Sequence, residues 1–377
     1  MNKIGITGQA GFIGSHLYTT LTLDTSVELV PFERAFFEEE SKLDDFVSEC
    51  DAIVHLAAMN RHEDQNVIYK TNLELVDKLI AACSRQNANP HILFSSSSQE
   101  NRDNLYGKSK KEGKHKFLNW AADSNGRFTS LTIPNVFGPF GKPNYNSVVA
   151  TFCHKVAHGE EPTVINDSEV GLIYINELVQ HFIGVLKNSI KTKSISKNSF
   201  ELDITPNHLK NVSEILGLLN RYKSDYMENG IFPNLEDPFE KALFNTFRCY
   251  VPQSHYPVKY TKHTAPRGSF VAIARTQTSG QFSFSTTVPG ITRGNHFHTR
   301  KAERFAVISG KALIQLRKIG TDEIIDYFLD GDEPAYVDMP IWHTHNIKNI
   351  GEDELITLFW INEPYNPDDA DTYFEDV

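Results

Sequence analysis

Between Gly290 and Gly310 the chain reads G-I-T-R-G-N-H-F-H-T-R-K-A-E-R-F-A-V-I-S-G. His296 and His298 are two apart, so on a strand both imidazoles point to one face. Glu303 follows after a short polar stretch in which a turn can bring the next strand back beside the first. Two imidazoles and a carboxylate converging in this way form a three-ligand site for a divalent ion, with zinc the natural choice. A second chemistry lies nearer the N-terminus. Alone among the fourteen tyrosines, Tyr106 has a lysine, Lys110, four residues on. On a helix the two share a face. The ammonium can then lower the phenol's pKa, and the phenol can protonate a ketone oxygen while a hydride reaches the carbon. Upstream, Ser95–Ser98 closes an apolar run and offers a hydroxyl to the same oxygen.

A hydride needs a carrier, and the first residues supply a place for one. Thr7-Gly8-Gln9-Ala10-Gly11-Phe12-Ile13-Gly14 follows an apolar run and opens a helical pattern. Glycines permit the tight turn and the close backbone approach, while the helix N-terminus receives a pyrophosphate. The next apolar run leads to Glu33-Arg34. An acid there binds a ribose 2′-hydroxyl and an arginine pairs with a 2′-phosphate. Both types are present; Arg34, just beyond the run, tips the expectation toward NADPH.

These groups must be held by two kinds of element. Lys3–Thr7, Val27–Phe32, Ala52–Ala57 and His91–Phe94 read as buried strands, with helical spacing in Phe12–Leu23 and Leu73–Ser84. That alternation predicts an α/β, Rossmann-type doubly wound parallel sheet. After about residue 250 the character changes. Ser269–Ala274, Gln281–Thr286, Arg304–Ile308, Lys311–Lys318, Glu323–Phe328 and Leu355–Ile361 alternate between Gly, Pro and Asp, which predicts an antiparallel barrel or sandwich. Val212–Tyr222 and Pro238–Tyr250 read as helices closing the first domain. The expected division is 1–250, a linker 251–266 rich in proline and aromatics, and 267–377.

Composition bounds the partners. The chain has 377 residues, 40% hydrophobic and 23% charged, with a net charge of −11 and dispersed basic residues. That excludes a nucleic-acid or membrane surface as the reading of choice but not an anionic small ligand. The four cysteines are isolated, no apolar run spans a bilayer, and no signal peptide precedes the first strand, so a cytoplasmic protein is expected.

TGQAGFIG, HLAA at His55–Ala58, FSSS at Phe94–Ser97, YGKSK at Tyr106–Lys110 and PNVFGP at Pro134–Pro139 resemble, in order, the motifs of extended short-chain dehydrogenase/reductases. The resemblance covers roughly 1–250. It implies Tyr106 as acid, Lys110 as its partner and Ser97 as third member. It implies cofactor contacts from Gly8, Gly11, Phe12, Ile13, Gly14, Arg34, Leu56, Ala57, Tyr106 and Lys110, and puts Asn135 in the substrate-binding turn. Two features depart from the family. Only eight residues separate Ser97 from Tyr106, and Gly171–Glu177 lacks the arginine often used for a substrate diphosphate.

Gly290, His296, His298, Glu303 and Gly310 are similar, at full spacing, to the first cupin motif. Gly331, Pro340, His345 and Asn349 resemble the second, with Trp342 in place of a glycine. The resemblance implies an all-β cupin barrel and adds His345 to a metal set of His296, His298, Glu303 and His345. Arg293-Gly-Asn-His296 and Pro266-Arg-Gly-Ser-Phe270 resemble instead the metal-free cupin epimerases of nucleotide 4-ketosugars. There Arg293 would contact substrate and His296 would be a general base abstracting a proton α to a ketone. His296 as ligand and His296 as base are both open; if it is a ligand, Lys301, Asp338 or His343 lies within sequence reach to move the proton.

In domain order, and in Gly141–Ser147 and the tail D-T-Y-F-E-D-V, the whole chain resembles bifunctional enzymes of capsular polysaccharide synthesis. That implies C3 epimerisation of a UDP-4-keto-6-deoxy-N-acetylhexosamine by the cupin. It further implies NADPH reduction at C4 to UDP-N-acetyl-6-deoxy-L-talosamine, on the way to UDP-N-acetyl-L-fucosamine. The expected partner is the UDP-sugar, in a homodimer. Two alternatives stand: a 4-ketosugar reductase whose cupin is structural or dimerising, and a cupin isomerase or dioxygenase carrying a nucleotide-binding module.

Overall fold

The computed structural model describes residues 2–124, 126–191, 198–260, 263–265, 268–270, 274–276, 281–363 and 366–377. Contacts divide the chain into two compact units, 1–151 with 167–212, and 152–166 with 213–377. Residues 213–250, whose helical spacing groups them with the strand–helix alternation, thus cluster with the C-terminal half. Among the described residues no helix is long and apolar enough to cross a membrane.

The strands of the first unit are β1 (Asn2–Thr7), β2 (Val27–Val30), β3 (Ala52–His55), β4 (His91–Ser97), β5 (Arg127–Ile133), β6 (Asn135–Phe137), β7 (Glu169–Tyr174), β8 (Ser199–Asp203) and β9 (His208–Asn211). The main sheet has the order β2-β1-β3-β4-β5-β8 and every pairing is parallel. β6, β7 and β9 form a small separate sheet. β3 is buried along its whole length, as parallel strands covered on both faces are. Between strands run α1 (Phe12–Leu21), α2 (Glu40–Glu49), α3 (Gln65–Arg85) and α4 (Leu105–Ser124). Phe46, Ile53, Leu79, Phe94, Phe117 and Phe128 knit helices to sheet. The strand order reverses between β1 and β3, so the loops after those two strands open a crevice at the carboxyl edge, where open α/β sheets bind ligands.

The second unit contains two five-stranded antiparallel sheets. One runs Val258–Lys259, Ala335–Met339, Glu303–Ser309, Leu355–Ile361, Gln281–Thr287. The other runs Ile324–Asp330, Lys311–Lys318, His343–Asn349, Thr292–Phe297, Tyr373–Phe374. Lys311–Lys318 alternates strictly, burying Ala312, Ile314 and Leu316. These meet Val307, Val337 and Ile347 in one core. Helices Val212–Tyr222 and Pro238–Arg248 bring Tyr222, Phe244 and Phe247 together as an aromatic cluster. Of the expected strand Ser269–Ala274 and of Pro266–Phe270, residues 266–267 and 271–273 lie outside the described residues.

Candidate functional site

The glycine loop follows from steric demand. Gly8 sits at φ +75°, and a Cβ there would lie 2.8 Å from the Ala57 backbone nitrogen. At Gly14 a Cβ would be 2.2 Å from the Gly8 carbonyl oxygen, so only glycine lets α1 start against the turn. Gly11 caps α1 with its side-chain-free backbone, and the first turn carries no acid. The amides of Phe12, Ile13 and Gly14 are therefore free of a competing carboxylate, as an anion site requires. Leu56 and Ala57 are tied to the same loop: their amides donate to the Thr7 carbonyl (3.1 Å) and Oγ1 (3.3 Å). Arg34 opens a 3₁₀ turn four residues past the end of β2; it is exposed and makes no ion pair among the described residues.

Ser97, Tyr106, Asn135 and Ile13 line one cleft of about 510 Å³, together with Asn60, Gln99, Asn104 and Asn146. Ser97 ends β4 and accepts from the Gln99 amide at 3.2 Å. Asn104 caps α4 by accepting from the Gly107 amide at 2.7 Å, which sets Tyr106 in the first turn. The eight-residue connection is short because the 3₁₀ turn presses on α4: a Cβ on Gly107 would stand 2.0 Å from the Gln99 carbonyl. Glu100 anchors that turn, accepting from Ser96 Oγ at 2.5 Å and from Lys114 Nζ at 2.9 Å.

Burial pushes the Tyr106 phenol up to about 12, against the Ser97 hydroxyl, which pulls it down through a hydrogen bond. The Lys110 ammonium donates to the Ser95 carbonyl at 2.8 Å, stands over the Phe94 ring, and lies 5.9 Å from the centre of the Tyr106 ring. Burial brings it down to about 8. Asn135 opens β6 and its amide donates to the Gly171 carbonyl at 3.2 Å.

In the second unit His296, His298, Glu303 and His345 place one ligand atom each within 4.8 Å of one another. Thr292–Phe297 pairs with His343–Asn349 through a bulge: Gly294 faces Asn346, then His296 faces His345. Gly294 at φ +105° and Asn295 at φ +57° make the extra residue. Directly opposed residues share a face, so the bulge turns His296 to the side of His345. Arg293, opposite Ile347, falls on that face too; it is exposed and donates to the Thr286 carbonyl at 3.1 Å. His298 lies just past the strand end, and Glu303 begins the next strand.

His298 Nδ1 meets the Asp371 carbonyl at 2.5 Å and His345 Nδ1 the His343 carbonyl at 3.2 Å. A carbonyl only accepts, so each Nδ1 carries a proton, which leaves Nε2 as the ligand atom of each ring. Those Nε2 atoms stand 3.0 and 3.2 Å from Glu303 Oε2. All three atoms are buried without a hydrogen-bond partner. Two Nε2 atoms and a carboxylate oxygen facing one point are a donor set that a cation among them would satisfy. The spacings match the edge of about 3.3 Å expected for ligand atoms around tetrahedral zinc, so the donor set fits a divalent ion. Burial favours a neutral Glu303, but His298 and His345 outweigh it and hold its carboxyl far below the usual range. Burial also opposes charge on His298, yet Glu303 lifts its pKa. His296 is the half-exposed member; burial and then His345 bring it down to about 4.

Among the proton carriers within sequence reach, Asp338 is placed elsewhere. It opposes Arg304, on the face away from Glu303, and is held by the guanidinium at 2.7 and 3.0 Å and by Tyr226 at 2.5 Å. Lys301 Nζ donates to the Ala370 carbonyl at 2.5 Å. His343 shares the His345 strand face and is brought down to about 4 by burial. Sequence reasoning missed Asn104, Asn60 and Asn146 at the cleft and Asp371 at the histidine cluster. The spacing Asn104-x-x-Gly107 before a helix is a capping signal that finds the first. Nothing local marks Asp371.

A parallel sheet with a glycine turn at its switch point and a cleft lined by Ser97 and Tyr106 defines a nucleotide-dependent oxidoreductase or epimerase fold. The NAD dependent epimerase/dehydratase family pattern matches residues 4–196, and the polysaccharide biosynthesis C-terminal domain pattern matches 263–373. The chain belongs to the NAD dependent epimerase/dehydratase family, with a polysaccharide biosynthesis C-terminal domain. It is a homologue of UDP-2-acetamido-2,6-beta-L-arabino-hexul-4-ose reductase of Pseudomonas aeruginosa, 33% identical over 98% of each chain. It is likewise a homologue of the capsular polysaccharide assembling protein CapF of Staphylococcus aureus, whose crystal structure it matches over 100% of both chains at 35% identity and a TM-score of 0.63. RMD of Pseudomonas aeruginosa, solved with NADPH, shares the fold at 19% identity and TM-score 0.53, over 59% of this chain and 82% of that one.

Proposed function

We propose that the chain is a bifunctional nucleotide-sugar enzyme of capsular polysaccharide precursor synthesis. The C-terminal site epimerises C3 of a UDP-4-keto-6-deoxy-N-acetylhexosamine. The N-terminal cleft then reduces the C4 ketone, giving UDP-N-acetyl-6-deoxy-L-talosamine on the way to UDP-N-acetyl-L-fucosamine. The observation that carries this reading is that one chain holds both a Ser97–Tyr106 cleft beside a dinucleotide turn and a buried three-histidine, one-glutamate cluster. The Pseudomonas relative's name, a hexul-4-ose reductase, supports a 4-ketone as substrate. By sequence, labour divides between a reductase domain, 1–250, and a cupin, 267–377, joined by 251–266.

In the cleft, Tyr106 donates its proton to the ketone oxygen and Ser97 holds that oxygen through its hydroxyl. Lys110 keeps a positive charge beside the phenol as it loses the proton. The α1 N-terminus and Gly8–Gly14 receive the pyrophosphate, Leu56 and Ala57 flank it, and exposed Arg34 selects a 2′-phosphate. NADPH, when bound, supplies the hydride. In the second unit His298, Glu303, His345 and the half-exposed His296 would hold a divalent ion, zinc by donor type. The ion's chemistry is polarisation of the substrate carbonyl. With His296 so engaged, His343 on the same strand face moves the C3 proton and Arg293 contacts the substrate. A homodimer belongs to this reading: Gln281–Thr287 is a sheet edge, pairing among the described residues with Leu355–Ile361 alone, and it exposes Phe284.

The test is proton NMR of a UDP-4-keto-6-deoxy-N-acetylhexosamine incubated in D2O with and without NADPH, alongside metal analysis. Expected are deuterium at C3 without cofactor, a 6-deoxy-talo product with it, and about one zinc per chain. Reduction without C3 exchange, or exchange that survives His298→Ala, would assign the C-terminal half a structural role.

A further inference from the structure

The C-terminal tail ends against the histidine cluster rather than trailing away from it. Tyr373–Phe374 adds an edge strand to Thr292–Phe297, pairing Phe374 with His296 and Tyr373 with Phe297. The Glu375 amide donates to the Asn295 carbonyl, Arg317 donates to Glu375 Oε1 at 2.8 Å, and Asn295 donates to Asp376 Oδ1 at 2.7 Å. At the head of this tail, Asp371 is 5% exposed. Its carboxylate accepts four bonds from one turn: Thr299 N (3.1 Å), Thr299 Oγ1 (2.6 Å), Arg300 N (3.1 Å) and Lys301 N (3.2 Å). Its carbonyl accepts from His298 Nδ1 at 2.5 Å. One residue thus fixes the imidazole of His298 and the turn that leads from His298 to Glu303. Its backbone is left-handed, φ +42°, a conformation aspartate tolerates better than most residues.

We propose that Asp371 is a positioning residue of the histidine–glutamate site, and that the tail 371–377 is part of that site. The carbonyl sets the His298 tautomer so that Nε2 is the ligand atom. The carboxylate sets the distance between His298 and Glu303 by gathering the amides of the intervening turn. The inference rests on the metal reading of the cluster given above. Groups that orient a ligating histidine alter metal affinity about 10–100-fold when removed.

The experiment compares wild-type protein, Asp371→Asn, Asp369→Ala and a chain ending at Ala370. The readouts are Zn2+ affinity by competition with a chromogenic chelator and the visible spectrum of the Co2+ form, with urea unfolding as the check of fold. Asparagine accepts the left-handed backbone and keeps the carbonyl, but turns NH2 donors toward amide donors. Expected for Asp371→Asn is Zn2+ binding weakened about 10–100-fold with an altered Co2+ spectrum. The truncated chain should lose more, since the His298 partner goes with it. Asp369, an exposed partner of Arg300 just ahead of the tail, should leave both readouts within about twofold when replaced. Unchanged affinity and spectrum in Asp371→Asn overturns the proposal. So does an equal loss in Asp369→Ala, which would make tail docking in general responsible. Wild-type protein that binds neither ion overturns the metal reading as well, so the two failures are distinguishable.

Discussion

Lys110 makes the sharpest residue-scale prediction because, on the proposed function, its burial trades stability for chemistry. Its ammonium is fully enclosed, with the Ser95 carbonyl and the Phe94 ring as its partners, and burial brings its pKa from 10.5 to about 8. The phenol of Tyr106, up at about 12, stays protonated across the working range. The profile of kcat/KM for ketone reduction, which reports the free enzyme, should therefore fall as pH rises through about 8, as the ammonium loses its proton. The linkage to stability has the opposite sense. The folded pKa is below the unfolded one, so between about 8 and 10.5 the unfolded chain binds more protons and stability rises with pH. Lys110→Met should lose about 10²-fold or more in reduction, gain about 1–2 kcal/mol at pH 7, and lose that rise in urea unfolding. A variant no more stable than the parent at pH 7 would show that the Ser95 and Phe94 contacts offset the burial.

At the scale of elements, the bulge in Thr292–Phe297 decides whether two histidines meet. A Cβ on Gly294 would lie 2.8 Å from the His345 carbonyl and would have to adopt φ +105°, so Gly294→Ala strains the backbone and displaces the paired strand. Gly290, at φ +78° with nothing within 4 Å, carries the conformational demand without the crowding. Gly290→Ala should cost about 1 kcal/mol and Gly294→Ala about 2–4 kcal/mol, the latter with weakened Zn2+ binding. Equal losses in urea unfolding and metal titration would remove the bulge from the argument. The same strand shows what the sequence makes legible. Spacing of His296, His298 and Glu303 pointed to side chains that the structure does bring together, since type and period are local. The bulge was not legible, because Gly294-Asn295 reads equally as a turn. Trp342 stands where the second motif has glycine, and the backbone there keeps a left-handed φ of +57°. Stacking on Phe297 at 5.6 Å and the Trp342 amide's bond to the His298 carbonyl hold it there. Asp371 could not be found at all: its partners are 70 to 73 residues away in sequence, and no periodicity marks a hydrogen bond across that distance. Strand–helix alternation gave the parallel sheet for the converse reason, that each element's burial pattern is written within its own few residues.

For the whole molecule, two units with separate donor sets imply that the proposed epimerisation and reduction can be dissected by single substitutions. Tyr106 and its cleft residues lie in 1–151, and the histidine cluster lies in 213–377. Substitutions so far apart in chemistry and packing act independently unless the sites share a bound group. Tyr106→Phe removes the proton donor to the ketone and nothing from the histidine cluster. It should abolish NADPH oxidation, by about 10²–10⁴-fold, while deuterium from solvent still enters C3 of the 4-ketosugar. His298→Ala should do the reverse to the label: no C3 exchange and loss of zinc, with NADPH still oxidised against a ketosugar already epimerised. Mixing the two variants should restore the complete reaction, since each supplies the step the other lacks and the keto intermediate can diffuse between them. Mixed variants that exchange and reduce separately but yield no 6-deoxy-talo product would mean the intermediate does not survive release, and that fusion of the two units on one chain serves to protect it.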